Sequence, residues 1–298
     1  MGLFISVILP IIMVFAVGFI LQKFREVDVR SVSTLSLYIL SPALVFVGLY
    51  DAEFDDSYIV IFVFMFVLLY VMVGLNKILA KIFKWETKTE SAAILATGFM
   101  NSGNYGLPVV LFSLGEQAVP YAIFIMVVQS LQNNFFGIYY ASRNTSGVKT
   151  ALLNVMKMPT TYAAFLAIGF QLLDVSIPNE MYSTLSMVGD AAIPVMMLIL
   201  GLQLGSMTKI KMNWEVIISS VVLKMAIAPI VAILFVWMFD VDPLIGYILI
   251  IIAGMPTAAT TTMYAIEFDT EPDLVSSITF ISTVISVVSL SVLLNVVL

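Results

Sequence analysis

Apolar residues run along this chain in ten windows of roughly 20, the length a helix needs to cross a hydrocarbon core. They cover residues 3–21, 32–49, 59–79, 91–114, 118–140, 159–173, 181–204, 214–239, 243–266 and 274–298. Charged residues gather in the short turns between windows. The pattern predicts an all-α polytopic membrane protein with ten transmembrane helices.

Two windows are interrupted alike. The fourth carries Gly103, Asn104, Gly106 and Pro108, and the ninth carries Gly254, Met255, Pro256 and Thr257. In lipid every backbone N–H and C=O must be satisfied internally. Proline removes a donor and glycine loosens the turn, so both helices are expected to break. Broken helices at membrane depth line protein or a polar cavity, and paired breaks in two halves of a chain point to a transporter's binding site. The half-helices are expected to begin near Pro108 and Pro256, with uncapped N–H groups that attract an anion. Candidate substrate-binding residues are therefore Asn101, Gly103, Asn104, Tyr105, Gly106, Pro108, Gly254, Pro256 and Thr257.

The cations set the topology. Lys23, Arg25 and Arg30, then Lys77, Lys81, Lys84 and Lys88, then Arg143, Lys149 and Lys157, then Lys209 and Lys211 occupy alternate loops. The loops between them are acidic: Asp51, Glu53, Asp55 and Asp56, then Glu116, then Asp174 and Glu180, then Asp240 and Asp242. The positive-inside rule makes the basic side cytoplasmic and leaves both termini outside the cytoplasmic membrane. The acidic turn at Glu267, Asp269, Glu271 and Asp273 sits awkwardly on the basic side. Lys23 and Arg25 follow the first apolar run, which suits a retained span.

Five windows precede the basic loop and five follow it, so the second half starts from the opposite side. This predicts an inverted repeat, with residues 1–142 as the first half, 143–157 as the connecting loop and 158–298 as the second half. Leu35-Ser36 with Pro42 is echoed by Leu185-Ser186 with Pro194, and Gly103…Pro108 by Gly254…Pro256, all at offsets near 150.

The polar residues inside the windows narrow the chemistry. Lys224 lies near the middle of the eighth window, where a cation is costly, and reads as charge compensation for an anion. Asp190 is the acid set within an apolar run, and reads as a coupling group or a partner for Lys224. Gln129, Gln132 and Asn133 share one face of the fifth window at i, i+3, i+4 spacing. They join the candidate substrate contacts. The hydroxyl stripe of the tenth window reads as close helix packing.

Composition agrees with the membrane reading: 61% of 298 residues are hydrophobic and 11% charged, with net charge −6. There are no cysteines and no histidines. No metal centre is expected, and the usual neutral-pH acid–base is missing. With one intramembrane acid, an intramembrane hydrolase lacks its machinery, so the chain reads as no enzyme.

Taken together, Asn101-Ser102-Gly103-Asn104-Tyr105-Gly106-Leu107-Pro108, Leu185 to Pro194, Gly201-Leu202-Gln203-Leu204, Lys224 with Pro229, and Met255-Pro256 resemble the auxin efflux carrier family. That family includes the plant PIN carriers and bacterial organic-acid permeases. The resemblance covers essentially the whole chain. It implies a crossover of spans 4 and 9, kinship with the bile-acid/sodium symporter and sodium/proton antiporter folds, and an elevator-like movement against a scaffold. It implies that Asn104 is the crossover asparagine, that Lys224 belongs to a support site, and that Gln129 or Gln132 is the span-5 amide. Gly103 stands where the plant motif has proline, the third span shows no acid, and the long cytoplasmic loop is absent.

The resulting expectation is a secondary transporter for a small organic anion, a carboxylate. The alternatives are a sodium-coupled symporter of the bile-acid type and a membrane ligand sensor that does not transport. No cofactor is expected; the candidate coupling ions are H+ and Na+. The partners expected are the anionic substrate and the bilayer, with a homodimer left open and no nucleic acid.

Overall fold

A computed structural model describes residues 4–143, 158–206 and 213–298. Lys149, Lys157, Lys209 and Lys211, with residues 144–157 of the expected connecting loop, lie outside them. The described residues form helices and no strands. Six helices are long and apolar enough to cross a membrane: α1 (Phe4–Arg25), α2 (Val29–Tyr50), α3 (Asp56–Phe83), α8 (Asn179–Ser206), α9 (Trp214–Met238) and α12 (Pro272–Val297).

The other four apolar windows form shorter pieces. The fourth splits into α4 (Thr87–Gly98) and α5 (Leu107–Leu114). The fifth is α6 (Val119–Gln132), extended by a π turn at Asn133–Gly137 and by Ile138–Ala141. The sixth is α7 (Pro159–Leu172). The ninth splits into α10 (Pro243–Ala253) and α11 (Ala259–Glu267).

Proline placement shapes four helices in one way. π turns at Phe4–Ile8, Ser36–Leu40, Ser102–Gly106 and Leu223–Ile227 each end two residues before a proline, at Pro10, Pro42, Pro108 and Pro229. Proline has no N–H, and its ring clashes with the carbonyl four residues back. The helix relieves this by widening ahead of the ring. Thus Ser41, Leu107 and Ala228 each donate to the carbonyl five residues earlier. This corrects the expectation that a half-helix begins near Pro108. It begins at Ser102, and Pro108 is buried within the helical run.

The two breaks satisfy each other. Met100 and Thr257 form an antiparallel bridge. The Asn101 N–H donates to Pro256 O at 2.9 Å, and the Ala258 N–H donates to Phe99 O at 3.1 Å. Side chains close the remainder. The Thr257 hydroxyl donates to Ala96 O, the Thr257 N–H to the Ser282 hydroxyl and the Met100 N–H to Gln129 Oε1.

The helices form two groups that also touch each other, the second half of α2 against α6 and the second half of α8 against the first break. In the first, α1 packs along α8, and α2 packs on α7 and α8. Glycines permit near contact of backbones: a Cβ on Gly18 would lie 2.4 Å from Leu198 O, and one on Gly201 2.1 Å from Phe15 O. Gly201 and Gly205 form the small-xxx-small spacing of close membrane pairs. At one end of this group Tyr50 donates to Val175 O, Gln171 donates to Ala52 O and Tyr182 donates to the Asp51 carboxylate.

The second group contains α3 to α6 and α9 to α12. Asn76 of α3 donates to Thr97 of α4 at 2.7 Å. Around the start of α4, Trp85 donates to Glu215 at 2.7 Å, Lys88 pairs with Asp269 at 2.9 Å and Glu90 with Arg143 at 2.7 Å. Lys88 holds the Asp269 carboxyl below its usual range. The acidic turn on the basic side is thereby explained: its aspartate meets a lysine of the neighbouring loop.

Two outcomes follow from this packing. Gly201→Val forces a side chain into the Phe15 carbonyl and should cost about 1–3 kcal/mol, the usual range for overpacking, read as a lower midpoint of unfolding in detergent. Thr257→Val keeps the shape but strands the Ala96 carbonyl, and should cost about 1–3 kcal/mol in the same measurement.

Candidate functional site

A cavity of about 230 Å³ lies where the crossover meets both helix groups. Asn101, Ser102, Gly103 and Asn104 enter it from the first break; Ala258, Ala259 and Thr260 enter from the second. Gln129, Ser130, Asn133 and Asn134 come from α6 and its π turn. Ser33, Ser36 and Ser41 come from α2, Thr160 from α7 and Gln203 from α8. The apolar share is largely methionine: Met100, Met126, Met158, Met196 and Met263. None of the described lining residues carries a charge.

The sequence makes this wall donor-rich. The half-helix from Ser102 has Asn101 as its cap, and Asn101 makes no side-chain capping bond. Its leading N–H groups and its amide are therefore both left over. Asn101 is only 5% exposed, and its Nδ2 has no protein partner. Gln129 is 2% exposed, and its Nε2 is likewise unpartnered. Helix α11 begins after Ala258, which has no side chain to cap it. Two half-helix N-termini and two residues with unpartnered amide donors thus border one space. Unpartnered acceptors, Asn133 Oδ1 and Gln203 Oε1, complete the polar wall.

Other polar residues hold the wall in place. The Asn133 amide reaches the Thr260 hydroxyl at 3.4 Å. Tyr264 donates to Asn134 Oδ1 at 3.1 Å, and Asn134 donates to Ser130 O at 2.8 Å. These bonds tie α11 to α6.

Of the candidates read from sequence, Asn101, Gly103, Asn104, Gln129 and Asn133 line the cavity. The others stand elsewhere. Tyr105 is buried edge-on against Phe15, with its hydroxyl 3.4 Å from Ser286. A Cβ on Gly106 would lie 2.7 Å from Ile252 Cδ1, and one on Gly254 2.5 Å from Leu293 Cδ2. These are packing glycines. Pro108 acts through the π turn ahead of it. Pro256 supplies the carbonyl that Asn101 uses, and Thr257 locks the bridge. Gln132 is buried with both amide atoms unpartnered, outside the cavity wall.

Lys224 is fully buried on the π turn ahead of Pro229, and its ammonium has no hydrogen-bond partner among the described residues. It does not line the cavity. Its turn packs against α4 and α12, behind the crossover. Asp190 is exposed at the end of the first segment of α8. The suggested Asp190–Lys224 pair is therefore not formed.

The wall residues that sequence reading missed are mostly hydroxyls. Ser33 and Ser36 stand at i, i+3 spacing, a polar face in an otherwise apolar helix. Gln203 and Asn134 were polar residues in apolar windows, the signal that singled out Gln129. Thr160 and Thr260 carried no comparable signal.

The comparisons with known proteins follow the same lines. The family described as membrane transport protein matches residues 3–138 and 143–294. A protein of Methanocaldococcus jannaschii, named an uncharacterized transporter, is 25% identical over 296 residues and 94% of each chain. Another uncharacterized transporter, from Methanothermobacter thermautotrophicus, is 27% identical over 292 residues and 95% of each chain. With nearly the whole chain matched, the chain belongs to the membrane transport protein family, that of the auxin efflux carriers and their relatives.

Proposed function

We propose that the chain is a secondary transporter that carries a small organic anion, a carboxylate, across the cytoplasmic membrane by alternating access. The observation that supports this is the meeting of two half-helix N-termini with Asn101 and Gln129, both holding unpartnered amide nitrogens, at a cavity whose described lining has no acidic side chain. Backbone N–H groups and amides are the donors a carboxylate needs, and the dipoles add partial positive charge.

In this reading the chain crosses the bilayer ten times in two inverted halves, 1–142 and 158–298, with the basic loops in the cytoplasm. The second helix group, which holds the crossover, moves as an elevator against α1, α2, α7 and α8. The inter-helix bonds described above suit that division, since each lies within one group. Asn104 and Asn101 hold the carboxylate. Lys224 offsets its charge from behind the crossover, a long-range contribution strengthened by the low dielectric around it.

Uptake of labelled acetate and malonate into liposomes tests the site. Asn101→Ala and Asn104→Ala should each lower uptake by about tenfold or more, the effect of losing one hydrogen bond to a charged group. Lys224→Ala should lower it without changing the protein's fold. Unchanged uptake in both Asn104→Ala and Lys224→Ala would remove the assignment.

A thermal-shift screen of mono- and dicarboxylates, with and without Na+ and across pH, identifies the class of solute and the coupling ion. A carboxylate should raise the unfolding midpoint in proportion to its occupancy. Stabilisation that requires Na+ would replace simple anion carriage with sodium symport. Stabilisation without uptake would indicate a sensor.

A further inference from the structure

Close glycine contacts between helices are of two kinds. At Gly18 and Gly201, within the first group, the partner is backbone. Gly189 is similar, since a Cβ there would lie 3.0 Å from Leu44 N. Backbone cannot rotate away, so α1, α2 and α8 are held as one piece.

Gly48 differs. Among the described glycines it makes the close contact that reaches from the first group to the second, and its partner is a side-chain tip. A Cβ on Gly48 would lie 2.2 Å from Ile123 Cδ1 of α6. Ile123 is fully buried. A methyl resting in the notch of a glycine can withdraw without breaking a hydrogen bond. It excludes water while it is there.

The position of this contact gives it a task. On α2 the cavity wall reaches Ser41 and goes no further; on α6 it begins at Met126. The wall residues Ser33, Thr160 and Gln203 lie near the helix ends that carry the basic loops. Gly48 and Ile123 lie just past the opposite end of the cavity, next to the acidic segments 51–56 and Glu116.

We propose that Gly48 and Ile123 form the releasable seal that closes the cavity toward the acidic-loop face. The proposal rests on the alternating-access reading above. In the arrangement described here the methyl is seated and the cavity faces the basic loops. When the second group moves, the methyl leaves the glycine notch and that route opens.

The chain has no cysteine, so introduced thiols can be read without background. A Cβ on Gly48 would lie 3.9 Å from Ile123 Cβ, within the roughly 3.5–4.5 Å that a disulfide spans. Gly48→Cys with Ile123→Cys should therefore cross-link on oxidation in liposomes. Ser36→Cys, in the cavity wall, reports access to a membrane-impermeant maleimide added from either face.

Ser36→Cys alone should label from both faces. With the disulfide formed, labelling from the acidic-loop face should slow by about tenfold or more, the signature of a state removed from the equilibrium. Reduction should restore it. Undiminished labelling in the cross-linked protein, or no cross-link, would overturn the seal while leaving alternating access standing. Labelling of Ser36→Cys alone from the basic face only would overturn both, because a contact that never parts is ordinary packing. Ile123→Ala adds no thiol and keeps the test open if the cysteine pair misfolds. It should speed labelling from the acidic-loop face by about tenfold, and no increase would overturn the seal.

Discussion

Two stretches of unwound chain hold each other at the centre of this molecule. In hydrocarbon an unpaired backbone group costs several kcal/mol, so neither break could exist alone. Phe99 to Asn101 and Pro256 to Ala258 exchange the bonds that their helices gave up. The exchange fixes the distance between the breaks. It also leaves the half-helix from Ser102 and α11 starting on either side of the bridge, with uncapped ends at one cavity. The cavity follows from the bridge, and the bridge follows from lipid.

Polar side chains around the bridge divide into two roles. Thr257, Ser282, Tyr264 and Asn134 find protein partners and hold the crossover rigid. Asn101 and Gln129 keep buried donors without them. A buried amide that has no partner is costly, and a fold that tolerates two in one cavity gains by filling it with a solute that accepts hydrogen bonds. Lys224 carries a similar cost in a separate place. It is buried on α9, apart from the cavity.

Much of this was legible in the sequence. Windows of apolar residues gave the helices, and the Gly–Pro clusters gave both breaks, because those residues act on their own backbone. Asn101, Gly103 and Asn104 were picked out by the break itself, and Gln129 and Asn133 because a polar residue in an apolar helix needs a reason; all five line the cavity. Roles that depend on partners distant in sequence were hidden. Thr257 looked like a ligand until Ala96 was seen beside it. Gly106 and Gly254 read as candidate substrate-binding residues, and each makes room for a leucine or isoleucine of another helix. Asp190 read as a partner for Lys224, yet it lies at the surface of the helix and makes no such pair. Four of the ten windows were also too short or too interrupted to read as plain spans, since apolar length does not say where a helix unwinds.

The π turns set ahead of Pro10, Pro42, Pro108 and Pro229 reach beyond local geometry. Each slips one additional residue into a turn, so everything on one side of it is swung around the helix axis by about 100° relative to a regular helix. Ser36, Gly103, Asn104 and Lys224 all lie inside such turns. Gaining or losing one imino acid two positions downstream would re-aim them while barely altering the length of the rod. Divergence in what related carriers accept could therefore arise from where prolines fall, with every residue facing the solute left untouched.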